Sequence, residues 1–314
     1  MKSRNLAIDP DVLDITKKYD EMLNHPGSID DFRKTYREII TAQGYPEHQV
    51  NTTELSIATR HGDVPCRLYS PKADAVTPLI VYMHGGGFMV GDLECVDIAL
   101  NEIAFATGIS ILSIEYALAP EEIYPIALEQ CWDIACWASD NLATLGCAGK
   151  LGVAGDSAGG NLAALLSLRA KETGRININW QCLINAILDF PAVMNATSGS
   201  LIDYAEGPIL NTNIMKHFIS NYFSTAGDNG IYEASPLHAM ELAELPPAFI
   251  AVGEFDALLD DSTGYHERLL SAGVESDLKI YPGMVHNFIT MTKVSRVARS
   301  LLDDIGTRAA KYLN

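Results

Sequence analysis

From residue 79 onward, short apolar runs of strand length alternate with longer segments of helical periodicity. The run at 79–83 is continuously apolar, which is typical of a strand that helices cover on both faces. Other strands are predicted at 53–59, 65–69, 110–114, 151–154, 181–187, 248–252 and 277–280, and helices at 93–107, 126–141, 161–171, 260–272 and 293–313. Because such alternation builds βαβ units, it predicts an α/β fold: a central, mainly parallel sheet flanked by helices.

The first fifty residues have a different pattern. Asp9, followed by proline, is a typical helix start, and Ser28 can cap a second helix with apolar residues on one stripe. A long stretch without a strand candidate separates two of the later strands. We therefore expect residues 1–50 to form an N-terminal helical cap segment, residues 51–314 the main domain, and residues 189–237 a second cap insertion within it.

Composition excludes several classes of partner. The formal charge is −18, from 22 basic and 40 acidic residues, and so large a negative charge repels nucleic acid and anionic membrane surfaces. The N-terminus has no apolar leader, and no eighteen apolar residues run together, so we expect a cytoplasmic protein without membrane contact. Six cysteines form no Cys-x-x-Cys pair and no zinc pattern with histidine, so we expect free thiols and no metal.

The segment Gly155-Asp-Ser157-Ala-Gly159 follows a short apolar strand and leads into a predicted helix. A serine on so tight a turn projects its hydroxyl out of the sheet, and glycine neighbours allow the backbone to pass close to other chain segments. At average residue usage, a chain of this length contains Gly-x-Ser-x-Gly by chance roughly one time in ten. The motif therefore needs support from the rest of the chain.

A serine hydroxyl is a poor nucleophile unless a base removes its proton and a third group orients that base. Asp256 and His286 each follow a predicted strand, at the edge where α/β sheets bind ligands. Asp260 and Asp261 compete with Asp256, but they suit the start of a helix. The alternative interpretation of Asp256 is a loop carboxylate or a helix cap, and that of His286 is an ordinary loop histidine. The order Ser157, Asp256, His286 is that of a serine hydrolase triad on an α/β sheet.

A glycine-rich loop, His84-Gly-Gly-Gly87, comes directly after the apolar strand at 79–83. From 24 glycines and 8 histidines, this tetrapeptide is expected by chance on the order of once in a few hundred such chains. No Gly-Lys-Ser/Thr follows, which disfavours a phosphate loop. The amides of Gly86, Gly87 and Ala158 are the predicted oxyanion donors, while His84 is expected to be structural.

These blocks resemble the bacterial hormone-sensitive-lipase-like carboxylesterases, over most of the chain from about residue 78. The matching blocks are His84 to Gly87, Tyr116 to Glu121, Gly155 to Gly159, Asp256 and His286. The resemblance implies an α/β-hydrolase fold with a helical cap, so that residues 51–314 would be its catalytic domain. It also implies hydrolysis of short- to medium-chain acyl esters of small molecules, without a cofactor.

The sequence departs from the family pattern at two places. Ala117 stands where arginine is usual, and Asn287 follows the base where glycine is usual. Both departures affect loop support and substrate range rather than the triad. Asp156, before the nucleophile, is expected to hold the turn through neighbouring amides.

Several alternatives stay open at this point. The same triad serves an amidase or formamidase, and a non-catalytic small-molecule receptor can share the fold, although the presence of His286 disfavours a receptor. Edge strands are compatible with a homodimer, which no sequence feature demonstrates. Seven apolar residues in segments near the sheet edge are candidates for the substrate pocket, and each is equally compatible with ordinary packing: Met89, Val90, Phe190, Ile209, Leu210, Phe218 and Val285.

Overall fold

The protein is described by a computed structural model that covers residues 7–24, 27–71, 76–223 and 227–314. Residues 1–6 and 25–26 of the predicted N-terminal segment lie outside the described residues, and so do residues 72–75 of the predicted main domain and residues 224–226 of the predicted second insertion.

Within these ranges, eight strands form one sheet with the spatial order β1-β2-β4-β3-β5-β6-β7-β8. The strands are β1 (Asn51–Thr59), β2 (Gly62–Ser70), β3 (Thr77–Met83), β4 (Ser110–Ile114), β5 (Cys147–Asp156), β6 (Ile178–Ile184), β7 (Ala248–Phe255) and β8 (Ser276–Val285). Neighbours from β4 to β8 pair in parallel, while β2 is antiparallel to both β1 and β4. The predicted mainly parallel sheet is confirmed.

Helices cover both faces of this sheet. They are α1 (Leu13–Asn24), α2 (Ile29–Thr41), α3 (Leu93–Thr107), α4 (Ile126–Asp140), α5 (Ala158–Thr173), α6 (Phe190–Met194), α7 (Ser200–Asp203), α8 (Thr212–Tyr222), α9 (Gly227–Glu233), α10 (Leu259–Ser271) and α11 (Arg296–Leu313). Helices α3 and α11 pack together and contact the sheet, while α5 packs on β3, β5 and β6 and α10 on β7 and β8. The continuous apolar strands are therefore buried between helical layers, as the sequence pattern predicts.

The two leading helices begin where their capping residues indicate. Ser28 accepts a hydrogen bond from the Asp31 amide at 3.2 Å, and the Asp31 carboxylate accepts one from the Ser28 amide at 3.2 Å, which is a complete capping box. Asp9 accepts from the Asp11 amide at 2.9 Å and starts a short 3-10 turn before α1. Both helices bury an apolar stripe and pack against each other.

Strands β7 and β8 extend further than their apolar runs predict, to Phe255 and Val285. Strand β8 contains Pro282, which donates no ladder hydrogen bond, but β8 lies at the edge of the sheet and pairs only with β7. The pairing register shifts near this point, where Gly283 has a φ of 74°. Because β7 ends at Phe255 and β8 at Val285, Asp256 and His286 each occupy the first position after a strand.

No helix in the described part of the chain combines the length and the apolar character needed to cross a membrane. All six cysteines are free thiols; five are buried and Cys136 is half-buried.

Candidate active site

Ser157 lies on a strained turn between β5 and α5, with φ 53° and ψ −115°. Such a conformation costs a non-glycine residue about 1–3 kcal/mol and persists only where surrounding structure enforces it. Tight packing enforces it here: a Cβ atom on Gly155 would lie 2.3 Å from the Gly159 carbonyl oxygen, and one on Gly159 would lie 2.0 Å from the Met83 carbonyl oxygen. The flanking glycines are therefore required because the turn packs directly on the backbone of β3.

The structure brings the three predicted catalytic residues together. His286 Nε2 lies 2.9 Å from Ser157 Oγ, and His286 Nδ1 lies 2.9 Å from Asp256 Oδ2. An ionised carboxylate only accepts hydrogen bonds, so Nδ1 carries the proton and Nε2 is left to accept from the serine hydroxyl. His286 and Asp256 are 5% and 1% exposed, so water competes little with either bond.

Asp256 has two further donors. Its Oδ1 accepts from the Leu258 amide at 2.9 Å, and its Oδ2 also accepts from the side-chain amide of Asn185. Asn185 is the first residue after β6 and has a left-handed φ of 49°. Sequence reasoning missed it because the predicted strand at 181–187 includes residue 185, whereas β6 ends at Ile184 and leaves Asn185 at a strand end, like Asp256 and His286.

The competing acids have other partners. Asp260 accepts from the Ser200 amide at 2.8 Å, and Asp261 accepts from the amides of Leu188 and Asp189 at 2.7 and 3.0 Å. Burial raises the pKa of Asp261 to about 8. Both acids lie in the first turn of α10, as expected, but Asp260 holds the start of α7 and Asp261 holds the chain after β6, and neither contacts His286.

The glycine-rich loop passes very close to its neighbours. Gly86 has a φ of 123°, and a Cβ atom there would lie 2.0 Å from the Val90 carbonyl oxygen; at Gly87, with φ 60°, it would lie 2.2 Å from the ring of Phe218. Gly86, Gly87 and Ala158 all line the cavity that Ser157 lines. Since Ala158 begins α5, its amide has no partner within the helix.

Two buried groups support this loop and the turn. His84 stacks on Tyr116 with ring centroids 4.3 Å apart, its Nδ1 lies 2.7 Å from the Gly85 carbonyl oxygen, and burial lowers its pKa. Asp156 accepts from the Tyr82 hydroxyl at 2.7 Å, and burial raises its pKa to about 6. Asp156 thus joins β3 to the turn through the Tyr82 hydroxyl as well as contacting the Gly85 backbone, and the structural roles of both residues stay predictions.

A cavity of about 70 Å³ lies over Ser157 and His286. Its wall is apolar apart from the catalytic groups, Asn287 and two tyrosine hydroxyls. Five of the seven predicted pocket residues line it: Val90, Phe190, Ile209, Leu210 and Phe218. Residues of the two leading helices, which sequence reasoning treated only as packing stripes, also line it: Tyr19, Met22, Leu23, Phe32 and Tyr36.

Met89 and Val285 do not line this cavity, so both were wrong as pocket predictions. Met89 instead lines a neighbouring cleft, together with Pro120 and His217. Val285 pairs with Phe255 at the end of the sheet, and its side chain is fully buried.

Both departures from the family pattern have identifiable contacts. Ala117 lines a surface cleft beside Arg33 of α2, whose guanidinium donates to the Met89 and Ala119 carbonyl oxygens at 2.8 and 3.0 Å and pairs with Glu121. A cap helix thus supports the segment that lacks the usual arginine. Asn287, with a left-handed φ of 61°, contacts α1 and α2.

The chain is similar to a large set of known proteins. A family model described as the alpha/beta hydrolase fold matches residues 80–290. Esterase LipI of Mycobacterium tuberculosis is 32% identical over 292 residues, 90% of this chain and 88% of the relative, and carboxylesterase NlhH of the same organism is 34% identical over 239 residues, 74% and 73% of the two chains. Among solved structures, a hyperthermophilic esterase from Pyrobaculum calidifontis superposes with a TM-score of 0.88 at 29% identity, covering 98% of this chain and 99% of that one.

Proposed function

This chain belongs to the α/β-hydrolase family, as a hormone-sensitive-lipase-like carboxylesterase and hence a carboxylic ester hydrolase, and we propose that it cleaves short- to medium-chain acyl esters through an acyl-enzyme on Ser157. The observation that carries the proposal is the unbroken chain of hydrogen bonds from Asp256 through His286 to Ser157 at the floor of an apolar cavity.

The reaction follows from these contacts. His286 Nε2 removes the hydroxyl proton as Ser157 Oγ attacks the ester carbonyl carbon, and the resulting imidazolium is stabilised by Asp256. The negative charge on the former carbonyl oxygen is received by the amides of Gly86, Gly87 and Ala158. Collapse of this intermediate expels the alcohol, which takes the proton from His286. A water molecule then repeats the sequence on the acyl-enzyme and releases the acid.

The caps define the room for the acyl group. Residues 1–50 and 189–237 form, in this proposal, the helical cap over a catalytic domain of residues 51–314. The small cavity under α1, α2 and α8 favours short acyl chains, whose apolar burial contributes roughly 0.8 kcal/mol for each methylene until the space is filled. Beyond that length, added methylenes meet packed side chains such as Phe190 and lose rate.

Two substrate series test the proposal. With p-nitrophenyl esters of increasing chain length, kcat/KM should peak at short or medium chains and fall for long ones, while Ser157→Ala should lower turnover by roughly a million-fold, as in other triads. The same acyl group presented as an ester and as an anilide should react faster as the ester. A maximum at long chains, or faster amide hydrolysis, would overturn the proposed substrate class.

A further inference from the structure

Asn287 joins the loop of the catalytic histidine to both leading helices. Its side-chain nitrogen lies 3.1 Å from the hydroxyl oxygen of Tyr19 in α1 and 3.1 Å from that of Tyr36 in α2. The two tyrosine rings meet edge to face with centroids 5.8 Å apart. One amide group, immediately after His286 in the chain, therefore connects residues that are more than 250 positions away in sequence.

This connection is buried in the wall of the reaction cavity. Asn287 is 5% exposed, and Tyr19 and Tyr36 are 1% and 8% exposed. All three line the cavity together with Ser157 and His286. Because Asn287 directly follows His286, a shift of α1 or α2 would be transmitted to the catalytic base through the Asn287 side chain.

The backbone does not require an asparagine at this position. With a φ of 61°, residue 287 adopts the left-handed conformation, which glycine takes at no steric cost and asparagine tolerates. Glycine is also the usual residue here in the family that the sequence resembles. Since glycine would satisfy the backbone, the side chain of Asn287 has a role of its own.

The side-chain amide is also an expensive group to bury. Its oxygen is buried and has no hydrogen-bond partner among the described residues, which costs about 1–3 kcal/mol. An apolar or absent side chain would avoid that cost. Stability alone therefore does not explain why this amide is buried with an unsatisfied oxygen. The two contacts that its nitrogen makes with Tyr19 and Tyr36 explain it better.

We propose that Asn287 is a positioning residue that holds the His286 loop against α1 and α2, so that the placement of the catalytic base depends on the seating of the N-terminal helices. The proposal rests on the proposed role of His286 as the base. Without the contact, the loop retains its backbone bonds, but the imidazole has one fewer constraint relative to Ser157. Misplacement of a catalytic group by a fraction of an ångström lowers kcat, whereas ground-state binding in the cavity is much less affected.

The test uses the full-length chain and p-nitrophenyl butanoate. Asn287→Gly keeps the left-handed backbone and removes the amide, and it should lower kcat by roughly tenfold with KM changed by less than about twofold. Tyr19→Phe/Tyr36→Phe removes both partner hydroxyls and should give a similar loss. The triple variant should be no worse than the double tyrosine variant: the Tyr19 hydroxyl also contacts the Thr290 side chain, but once both hydroxyls are gone the loss of the Asn287 amide breaks no further connection.

Tyr265→Phe is the matched control, since Tyr265 is fully buried and its hydroxyl has no hydrogen-bond partner among the described residues; it should keep the wild-type kcat. Wild-type kcat in Asn287→Gly, or losses that multiply in the triple variant, would overturn the coupling. If Asn287→Gly does not fold, the double tyrosine variant decides in its place. Failure of the proposed function is distinct, because Ser157→Ala would then be as active as the wild type.

Discussion

Replacement of Asn185 by glycine isolates one of the three hydrogen bonds that hold the catalytic carboxylate. The Asn185 side chain donates to the same Asp256 oxygen that accepts from His286 Nδ1, and the Leu258 amide holds the other oxygen. Asn185 has a left-handed φ of 49°, so glycine fits the backbone without strain, whereas alanine would add a conformational cost of its own. Asn185→Gly therefore removes the side-chain contact without straining the backbone, and leaves the space of a fully buried side chain empty.

The size of the effect follows from burial. Asp256 is 1% exposed, so little water can replace the lost donor. A hydrogen bond to a charged group contributes about 1.5–3 kcal/mol, and if the whole loss appears in the transition state, kcat/KM falls by about 10- to 150-fold. Any part of that interaction energy that the free folded enzyme already has should instead lower the free energy of unfolding, so the losses in kcat/KM and in stability share this total.

Steady-state rates with p-nitrophenyl butanoate and urea denaturation measure the two effects. Asn185→Asp is the comparison variant: it has nearly the same size but places a second carboxylate against Asp256, and it should lose more rate than glycine does. The assignment of Asn185 as a support for Asp256 is refuted if Asn185→Gly keeps kcat/KM within about twofold of wild type and the free energy of unfolding within about 0.5 kcal/mol.

Three further outcomes are expected. Phe218→Ala should widen the cavity, so the ratio of kcat/KM for p-nitrophenyl octanoate to that for p-nitrophenyl butanoate should rise by roughly tenfold. An unchanged ratio would contradict this. Gly159→Ala forces a Cβ atom to within 2.0 Å of the Met83 carbonyl oxygen, and urea denaturation should report at least about 3 kcal/mol of lost stability, or no folded protein. The pKa of Asp156, about 6 in the folded protein, is raised above its unfolded value, so its charge destabilises the fold progressively from about pH 4 to 6 and fully above that range. Asp156→Asn should therefore gain stability relative to wild type as pH rises from 4 to 7, by up to about 3 kcal/mol, and a difference in Tm that does not vary with pH would contradict this.

Much of the fold was predictable because its signals are local. Apolar runs and helix caps such as Ser28 depend on neighbours in sequence, and the two resulting patterns alternate along the chain. The triad candidates were predictable for a related reason, since the carboxyl ends of parallel strands meet at one edge of the sheet. Their distances were not, because β7 and β8 continue to Phe255 and Val285 through sheet pairing that no single segment encodes.

The remaining parts of the site depend on contacts between distant segments. Asn185 follows β6 and contacts Asp256, which follows the neighbouring strand β7. Tyr19 of α1 and Tyr36 of α2 contact Asn287 from the other end of the chain. Met89 was a wrong prediction because it lines a different cleft from its neighbour Val90, a difference that residue type does not reveal. Val285 lies at a strand end and still does not line the cavity, whereas Val90, close to the glycine-rich loop, does, so neither kind of position alone identifies a pocket residue.

The most direct test of the central claim is the site of covalent capture by an active-site-directed phosphonate ester. The wild-type protein should gain the mass of one phosphonyl group, and peptide mapping should place that group on Ser157. Ser157→Ala should gain none and should lose ester hydrolysis by roughly a million-fold. An adduct on another residue, or an unlabelled wild-type protein that still hydrolyses esters, would contradict the assignment of Ser157 as the nucleophile.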